Sequence, residues 1–127
     1  MAKTKLSKLE YQIMDVLWSR GASSIREMQE SLPAKRIPAY TTIQTTVYRM
    51  EARDIVRRVK KVGNFHIFAA NLSREEAQRD LVEDLLGFFG GESQPIMAHL
   101  IDSGKLSMED MKEAEKLLRE LRKGKKK

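Results

Sequence analysis

Ile43, Val47 and Met50 fall at i, i+4 and i+7, so a helix from Tyr40 to about Arg53 can turn one apolar stripe into a core. Its other side carries Thr42, Gln44, Thr45, Tyr48 and Arg49, with Thr41 near the start. Three of these are β-branched threonines, which lower helix propensity, so helix stability does not explain this face. Hydroxyl, amide and guanidinium groups on a rigid cylinder are what reading base edges in a DNA major groove requires. The pattern predicts a DNA-binding helix. A threonine-rich helix can also simply pack against its neighbours, and that alternative stays open on these residues alone.

Two helices are expected before it. Ser7-Lys8-Leu9-Glu10 is a capping box, and Leu9, Ile13, Val16 and Leu17 continue it as an apolar stripe that ends near Gly21, with Trp18 beneath. A short second helix begins at Ser23 or Ser24, buries Ile25, Met28 and Leu32, and stops at Pro33. A basic connector from Ala34 to Ala39, containing Pro38, leads into the polar-faced helix. Two strand-like runs follow, from Ile55 to Lys61 and from Phe65 to Ala70. Gly63-Asn64 between them can supply the positive φ values of a tight hairpin turn. The apolar alternation of the first run is imperfect around Val56 and Val59. Three helices and a basic hairpin spell a winged helix-turn-helix, mainly α with a small β-hairpin. Arg57, Arg58, Lys60 and Lys61 then lie on the wing, where cations meet phosphate or a minor groove.

The remainder reads differently. Residues 1–72 form the expected winged-helix domain, and residues 73–127 a helical dimerisation region with a basic C-terminal tail. Ser73-Arg74-Glu75-Glu76 is a second capping box, with Leu81, Leu85 and Phe88 along one face and Val82, Leu86 and Phe89 beside them. Gly87, Gly90 and Gly91 are expected to break that helix, and a short one follows from about Gln94 to Ser103. Ser107-Met108-Glu109-Asp110 caps a last helix, in which Met111, Ala114, Leu118 and Leu121 fall at i, i+3, i+7 and i+10, with Leu117 flanking. About 50 residues make too small a core to stand alone. These faces could fold back on the first domain, but burial between two copies in a homodimer is the stronger expectation.

Charge sharpens the division. Residues 1–72 hold 13 Lys/Arg against 6 Asp/Glu, residues 73–121 hold 6 against 12, and Arg122 to Lys127 add 5 positive charges, for a net +6. A basic concentration around a polar helix is an electrostatic footprint for phosphate. The Lys123 to Lys127 tail is expected to be a disordered solubilising end. With no cysteine, neither a disulfide scaffold nor a thiolate metal site is possible. No apolar run approaches a membrane span and no signal peptide precedes Leu6, so a cytoplasmic protein is expected, without a membrane partner.

No catalytic constellation emerges. His66 and His99 lack a nucleophile or ligand at useful spacing, and Glu75, Glu76 and Asp84 read as helix-start or surface charges. Gly90-Gly91 follows a helix rather than a strand, unlike a phosphate loop. Met14, Met97, Met108 and Met111 are expected to pack in cores. The chain is therefore expected to be no enzyme and to need neither cofactor nor metal.

Leu6-Ser7-Lys8-Leu9-Glu10 through Met14-Asp15-Val16-Leu17-Trp18, then Tyr40-Thr41-Thr42-Ile43-Gln44-Thr45 and Arg49-Met50-Glu51, resembles the penicillinase-repressor family, of BlaI and MecI type with the related CopY repressors. The resemblance covers nearly the whole chain, the tail only in its length and helical pattern. It implies a transcriptional repressor, dimerised through C-terminal helices, on a palindromic operator with TACA/TGTA-like half-sites. Carried over by position, Thr41, Thr42, Gln44 and Thr45 would face bases or nearby phosphates, and Arg49 would meet phosphate or an intradomain partner. Family repressors of the antibiotic-response type are inactivated when a regulatory protease pathway cleaves the dimerisation region. The matching position is near His99-Leu100, where cleaved relatives carry an Asn-Phe pair, so this chain departs from the pattern. The copper-responsive branch carries a C-terminal cysteine cluster that this chain lacks. Two other classes remain: a winged-helix module that binds protein, and an architectural protein that binds any duplex.

Overall fold

Serine hydroxyls fix where the first helices begin. The structure, a computed structural model, describes residues 5–33 and 35–125. Helix α1 spans Lys8–Arg20, with Ser7 Oγ accepting from Glu10 N and Glu10 Oε1 accepting from Ser7 N at 2.8 Å. It ends at Gly21, whose φ of 92° suits a residue without Cβ. Helix α2 spans Ile25–Ser31, and its cap is Ser24, answered by Glu27. Ser23 does not start the helix, because three residues on it meets Arg26, which cannot accept from a backbone N–H. It is instead fully buried, and exchanges two 2.9 Å backbone hydrogen bonds with Phe68.

Helix α3 spans Tyr40–Ala52 and opens without a side-chain cap. Its end is a Schellman closure: Asp54 N donates to Glu51 O at 3.0 Å, and Ile55 N to Met50 O at 2.9 Å. Asp54 sits at φ 62° to make this turn, the only described non-glycine residue with positive φ.

The wing is an antiparallel pair, β1 from Val56 to Val62 and β2 from Phe65 to Ala70. Of the two turn residues, Gly63 takes a positive φ of 61° and Asn64 does not, contrary to the expectation that both would. Glycine at the first turn position is the type II′ arrangement, whose twist matches the strands. The register slips between Arg58, opposite Phe68, and Lys60, opposite Ile67. Val59 is the extra residue of this bulge, which accounts for the broken alternation of β1.

Phe68 is fully buried among Ile13, Met14, Leu17, Ile25, Met28, Ile43, Val47, Met50 and Val56. The three helices α1, α2 and α3 and the two strands thus all contribute buried side chains to one core. Three helices, the two-stranded wing and the Ser23 bridge make a winged helix-turn-helix domain.

The chain divides into two compact units, residues 1–83 and 84–127, and helix α4, Arg74–Phe88, runs through the division. In the first unit, Ser73 and Glu76 cap α4 reciprocally at 3.0 Å, and Ala77 is buried. Trp18 Nε1 donates to Leu72 O at 2.8 Å, while Arg74 lies over the Trp18 ring and pairs with Asp15 at 2.6 Å. Gly87 is inside α4 rather than breaking it, since one glycine costs a helix only about 1 kcal/mol. Gly90 and Gly91 end it in a second Schellman closure, with Gly91 N on Leu86 O at 2.7 Å.

In the second unit, α5 spans Gln94–Asp102 and α6 spans Met108–Lys125. No described side chain of α6 is buried. Met108 and Met111 are exposed, so they do not pack in a core of this chain as expected; no other helix of the unit covers them. Lys123 and Gly124, assigned from sequence to a disordered tail, continue α6, and residues 126–127 of that tail lie outside the described residues. No helix among the described residues is long and apolar enough to cross a membrane.

Candidate nucleic-acid interface

The buried stripe of α3 fixes what its other side presents. With Ile43, Val47 and Met50 in the core, Thr41, Thr42, Thr45, Tyr48 and Arg49 are exposed. Gln44 is half-buried, on the flank turned toward the wing. There Tyr40, Gln44 and Tyr48 line a cleft of about 60 Å³ with Asn64 and His66 of the wing. Gln44 Nε2 donates to Tyr48 Oη at 3.2 Å across one helical turn. On the far flank Thr46 Oγ1 returns to Thr42 O at 2.8 Å, a local bond that leaves its hydroxyl occupied.

The wing cations fall into two kinds. Arg57 Nη1 donates to Ala70 O at 2.9 Å and to Asn71 Oδ1 at 2.7 Å. Arg58 Nε donates to Glu51 Oε2 at 2.9 Å, and its guanidinium lies over the rings of Tyr48 and Phe68. Lys60 and Lys61 are exposed, and their side chains, like that of Arg49, form no hydrogen bond or ion pair among the described residues. The Val59 bulge separates them: Lys61, opposite His66, shares the strand face of Arg58 and Phe68, whereas Lys60, opposite Ile67, turns to the other face.

That other face borders an open groove of about 480 Å³, where Lys60, Val62 and Ile67 meet Arg26, Glu27 and Glu30. The backbone hydrogen bond from Ser24 holds the Glu27 carboxyl below its ordinary pKa, against a smaller opposing effect of desolvation and with help from Arg20. Glu27 is thus firmly anionic and works against a polyanion on this side.

Glu51, Phe68 and Asn71, which hold Arg58 and Arg57 in place, were not singled out by sequence pattern. Glu51 stands on α3, 7 residues before Arg58, and meets it only where the wing folds back on that helix. Phe68 and Asn71 lie 10 and 14 residues from their arginines across the hairpin, where the strand register brings them together. Arg53, in contrast, is bound to Glu10 at 3.1 Å and to the Lys5 carbonyl, so it ties α3 to α1. Among the described residues no group of three or more acidic or histidine side chains could hold a metal ion.

The expected dimerisation residues Leu81, Leu85, Phe88, Met111, Leu117, Leu118 and Leu121 are all exposed, Phe88 by 85%, and so is Ala114. His99 and Leu100 lie in the last turns of α5, both exposed. His99 O accepts from Ser103 N at 3.0 Å and Leu100 O from Lys105 N at 2.8 Å, so this segment is hydrogen-bonded helix.

The penicillinase repressor family matches residues 6–120. The transcriptional regulator BlaI of Mycobacterium tuberculosis is 33% identical over 106 residues, 80% of this chain and 76% of that protein. The penicillinase repressor of Staphylococcus aureus is 18% identical over 122 residues, 95% of this chain and 96% of its own. The match runs through α1, the polar-faced α3, the wing and most of α6, and this chain belongs to the penicillinase repressor family.

Proposed function

We propose that this chain is a sequence-specific transcriptional repressor that binds double-stranded DNA as a homodimer on a two-fold symmetric operator. The observation that carries the reading is α3: one stripe is fully buried in the winged-helix core while the opposite one offers hydroxyl, phenol and guanidinium groups to solvent. A helix presented this way fits a major groove. Thr41, Thr42, Gln44, Thr45 and Tyr48 are its base-reading or groove-lining residues. Arg49 and Lys61 meet phosphate from the α3 side, and Lys60 does so from the other face of the wing.

The exposed apolar positions of α4 and α6 support the homodimer, since an exposed stripe of this length is a usual sign of a partner surface. Two copies place two recognition helices on successive half-sites, and covering promoter DNA excludes other proteins. Loss of the dimer releases the operator, because one half-site holds poorly. Cleavage at His99–Leu100 by a regulatory protease is one route to that loss, but it requires α5 to unwind first, given its hydrogen bonding.

Selection from a random-duplex library at near-physiological salt tests the proposal. A two-fold symmetric consensus is the expected result, with a log K against log salt slope of about −7 if a dimer neutralises about eight phosphates. Tight binding with no consensus points to an architectural role. Weak binding to every duplex points to a protein-interaction module.

A further inference from the structure

Gln44, Tyr48, Arg58 and Glu51 form one continuous set of contacts between α3 and the wing. Gln44 Nε2 donates to Tyr48 Oη at 3.2 Å. The Arg58 guanidinium carbon lies 5.1 Å from the Tyr48 ring centroid and 5.4 Å from that of Phe68. Arg58 Nε donates to Glu51 Oε2 at 2.9 Å. Tyr48 and Phe68 lie 6.4 Å apart, and Phe68 is fully buried. The stack therefore stands on a packed base that cannot shift without disturbing the core.

A planar guanidinium held by an ion pair on its edge and ring faces at its side has few rotamers left. It fixes the Tyr48 ring in turn, and with it the phenol oxygen that receives Gln44. A primary amide has two donor hydrogens and one acceptor oxygen. Tyr48 Oη occupies one donor, leaving the second Nε2 hydrogen and Oε1. One donor beside one acceptor is the pattern that adenine meets with N7 and its N6 amino group in the major groove.

The geometry points to Arg58 as a positioning residue that, through Tyr48, orients the Gln44 carboxamide to read an adenine, rather than as a phosphate contact. This assignment rests on the operator reading above and deepens it by naming the base that Gln44 recognises. It also explains why a wing arginine pairs with a recognition-helix glutamate next to a surface otherwise suited to polyanion: Glu51 is spent on Arg58.

The test compares the full-length chain with Tyr48→Phe, Arg58→Ala and Arg58→Lys. Each is titrated on the selected operator and on duplexes altered at one base pair at a time, over a series of salt concentrations. Tyr48→Phe keeps the ring under Arg58 and removes only the acceptor for Gln44. Arg58→Lys keeps the charge and loses the planar stack. The wild-type chain is expected to lose on the order of tenfold affinity when the A·T pair read by Gln44 is replaced in one half-site. All three variants, like Gln44→Ala, flatten that one position and leave both the other positions and the salt slope unchanged. Tyr48→Phe combined with Gln44→Ala costs no more than either alone. If Arg58→Ala instead weakens every duplex alike and makes the salt slope shallower while Arg58→Lys is neutral, Arg58 is a phosphate contact and the assignment is overturned. A wild-type chain with no preference at any base pair overturns the operator reading and this assignment with it.

Discussion

Arg57 and Asn71 are joined across the base of the wing by a 2.7 Å hydrogen bond, and Asn71 N in turn donates to Ile55 O at 2.8 Å. The arginine closes the open end of the hairpin instead of reaching outward. Together with the Arg58–Glu51 pair, this leaves Lys60 and Lys61 as the wing cations without an internal partner among the described residues. Lys61→Ala is expected to weaken binding to all duplexes alike and to make the dimer's salt slope shallower by about 1.8, the value of one phosphate contact in each of its two copies. Lys60→Ala should do less, because Lys60 faces the groove that holds Glu27 and Glu30. Arg57→Ala should lower thermal stability while leaving the slope unchanged. Titrations at several salt concentrations, beside thermal melts, separate the three.

Much of this was legible in the residue pattern because it is local. Ser7 with Glu10, and Ser73 with Glu76, specify helix starts within four residues. The i, i+4, i+7 spacing of Ile43, Val47 and Met50 specifies which side of α3 faces out. What pattern could not give depends on pairs brought together by the fold. Ser23 reads as a helix cap until β2 arrives beside it. Arg57 and Arg58 read as free cations until the register sets Asn71 and Phe68 against them. Met108 and Met111 read as core because apolar spacing names a buried stripe without saying whether the covering surface belongs to the same chain.

Asp54 invites a stability test. It takes the left-handed position of the Schellman closure after α3, at φ 62°, where Gly90 and Gly104 stand in the equivalent closures of α4 and α5. An L-residue is strained there, though aspartate less than most. Asp54→Gly should relieve that strain at some cost in unfolded-chain entropy, for a net gain of about 0.5 kcal/mol. Asp54→Val should lose more than that, since a β-branched residue resists positive φ. Urea unfolding of both variants decides the sign.

Phe68 joins the core to the α3 side of the wing, so its truncation should have two effects at once. Phe68→Ala removes the fully buried ring at the centre of the cluster and should cost about 3–5 kcal/mol. Phe68→Leu keeps most of the volume and should cost much less, yet it removes a ring from beneath Arg58. A folded Phe68→Leu protein with reduced base discrimination, measured by the same titrations, would show that the stack matters apart from stability.

Acid sensitivity should appear at the start of α4. The Ser73 backbone N–H, and after it the Ser73 hydroxyl, hold the Glu76 carboxyl below its ordinary value of 4.5, a lowering that desolvation only partly opposes. A carboxylate whose folded pKa is depressed contributes stability above its unfolded pKa and loses it as pH falls through the folded value. Glu76→Gln still offers an oxygen to Ser73 N but no longer titrates. The melting temperature of the variant should therefore fall less steeply across the acid range than that of the parent, and Glu27→Gln should behave likewise at the start of α2. Parallel acid limbs in parent and variants would show that these caps do not set the pH dependence.

The homodimer is most directly tested on α6. Met111, Leu118 and Leu121 lie along one stripe with Leu117 beside it, and none is buried. A self-association built on this stripe buries it against a copy of itself, so a single carboxylate there must be desolvated against apolar side chains, twice in a symmetric pair. Leu118→Asp should convert the chain from dimer to monomer in sedimentation velocity. Amide hydrogen exchange within residues 1–83 should change little, since Leu118 lies in the other unit. The monomer should keep the wild-type affinity for an isolated half-site and lose at least tenfold on the full operator, because the second recognition helix no longer arrives at high effective concentration. If Leu118→Asp stays dimeric, α6 does not carry the interface, and the exposed stripe of Leu81, Leu85 and Phe88 on α4 becomes the place to look.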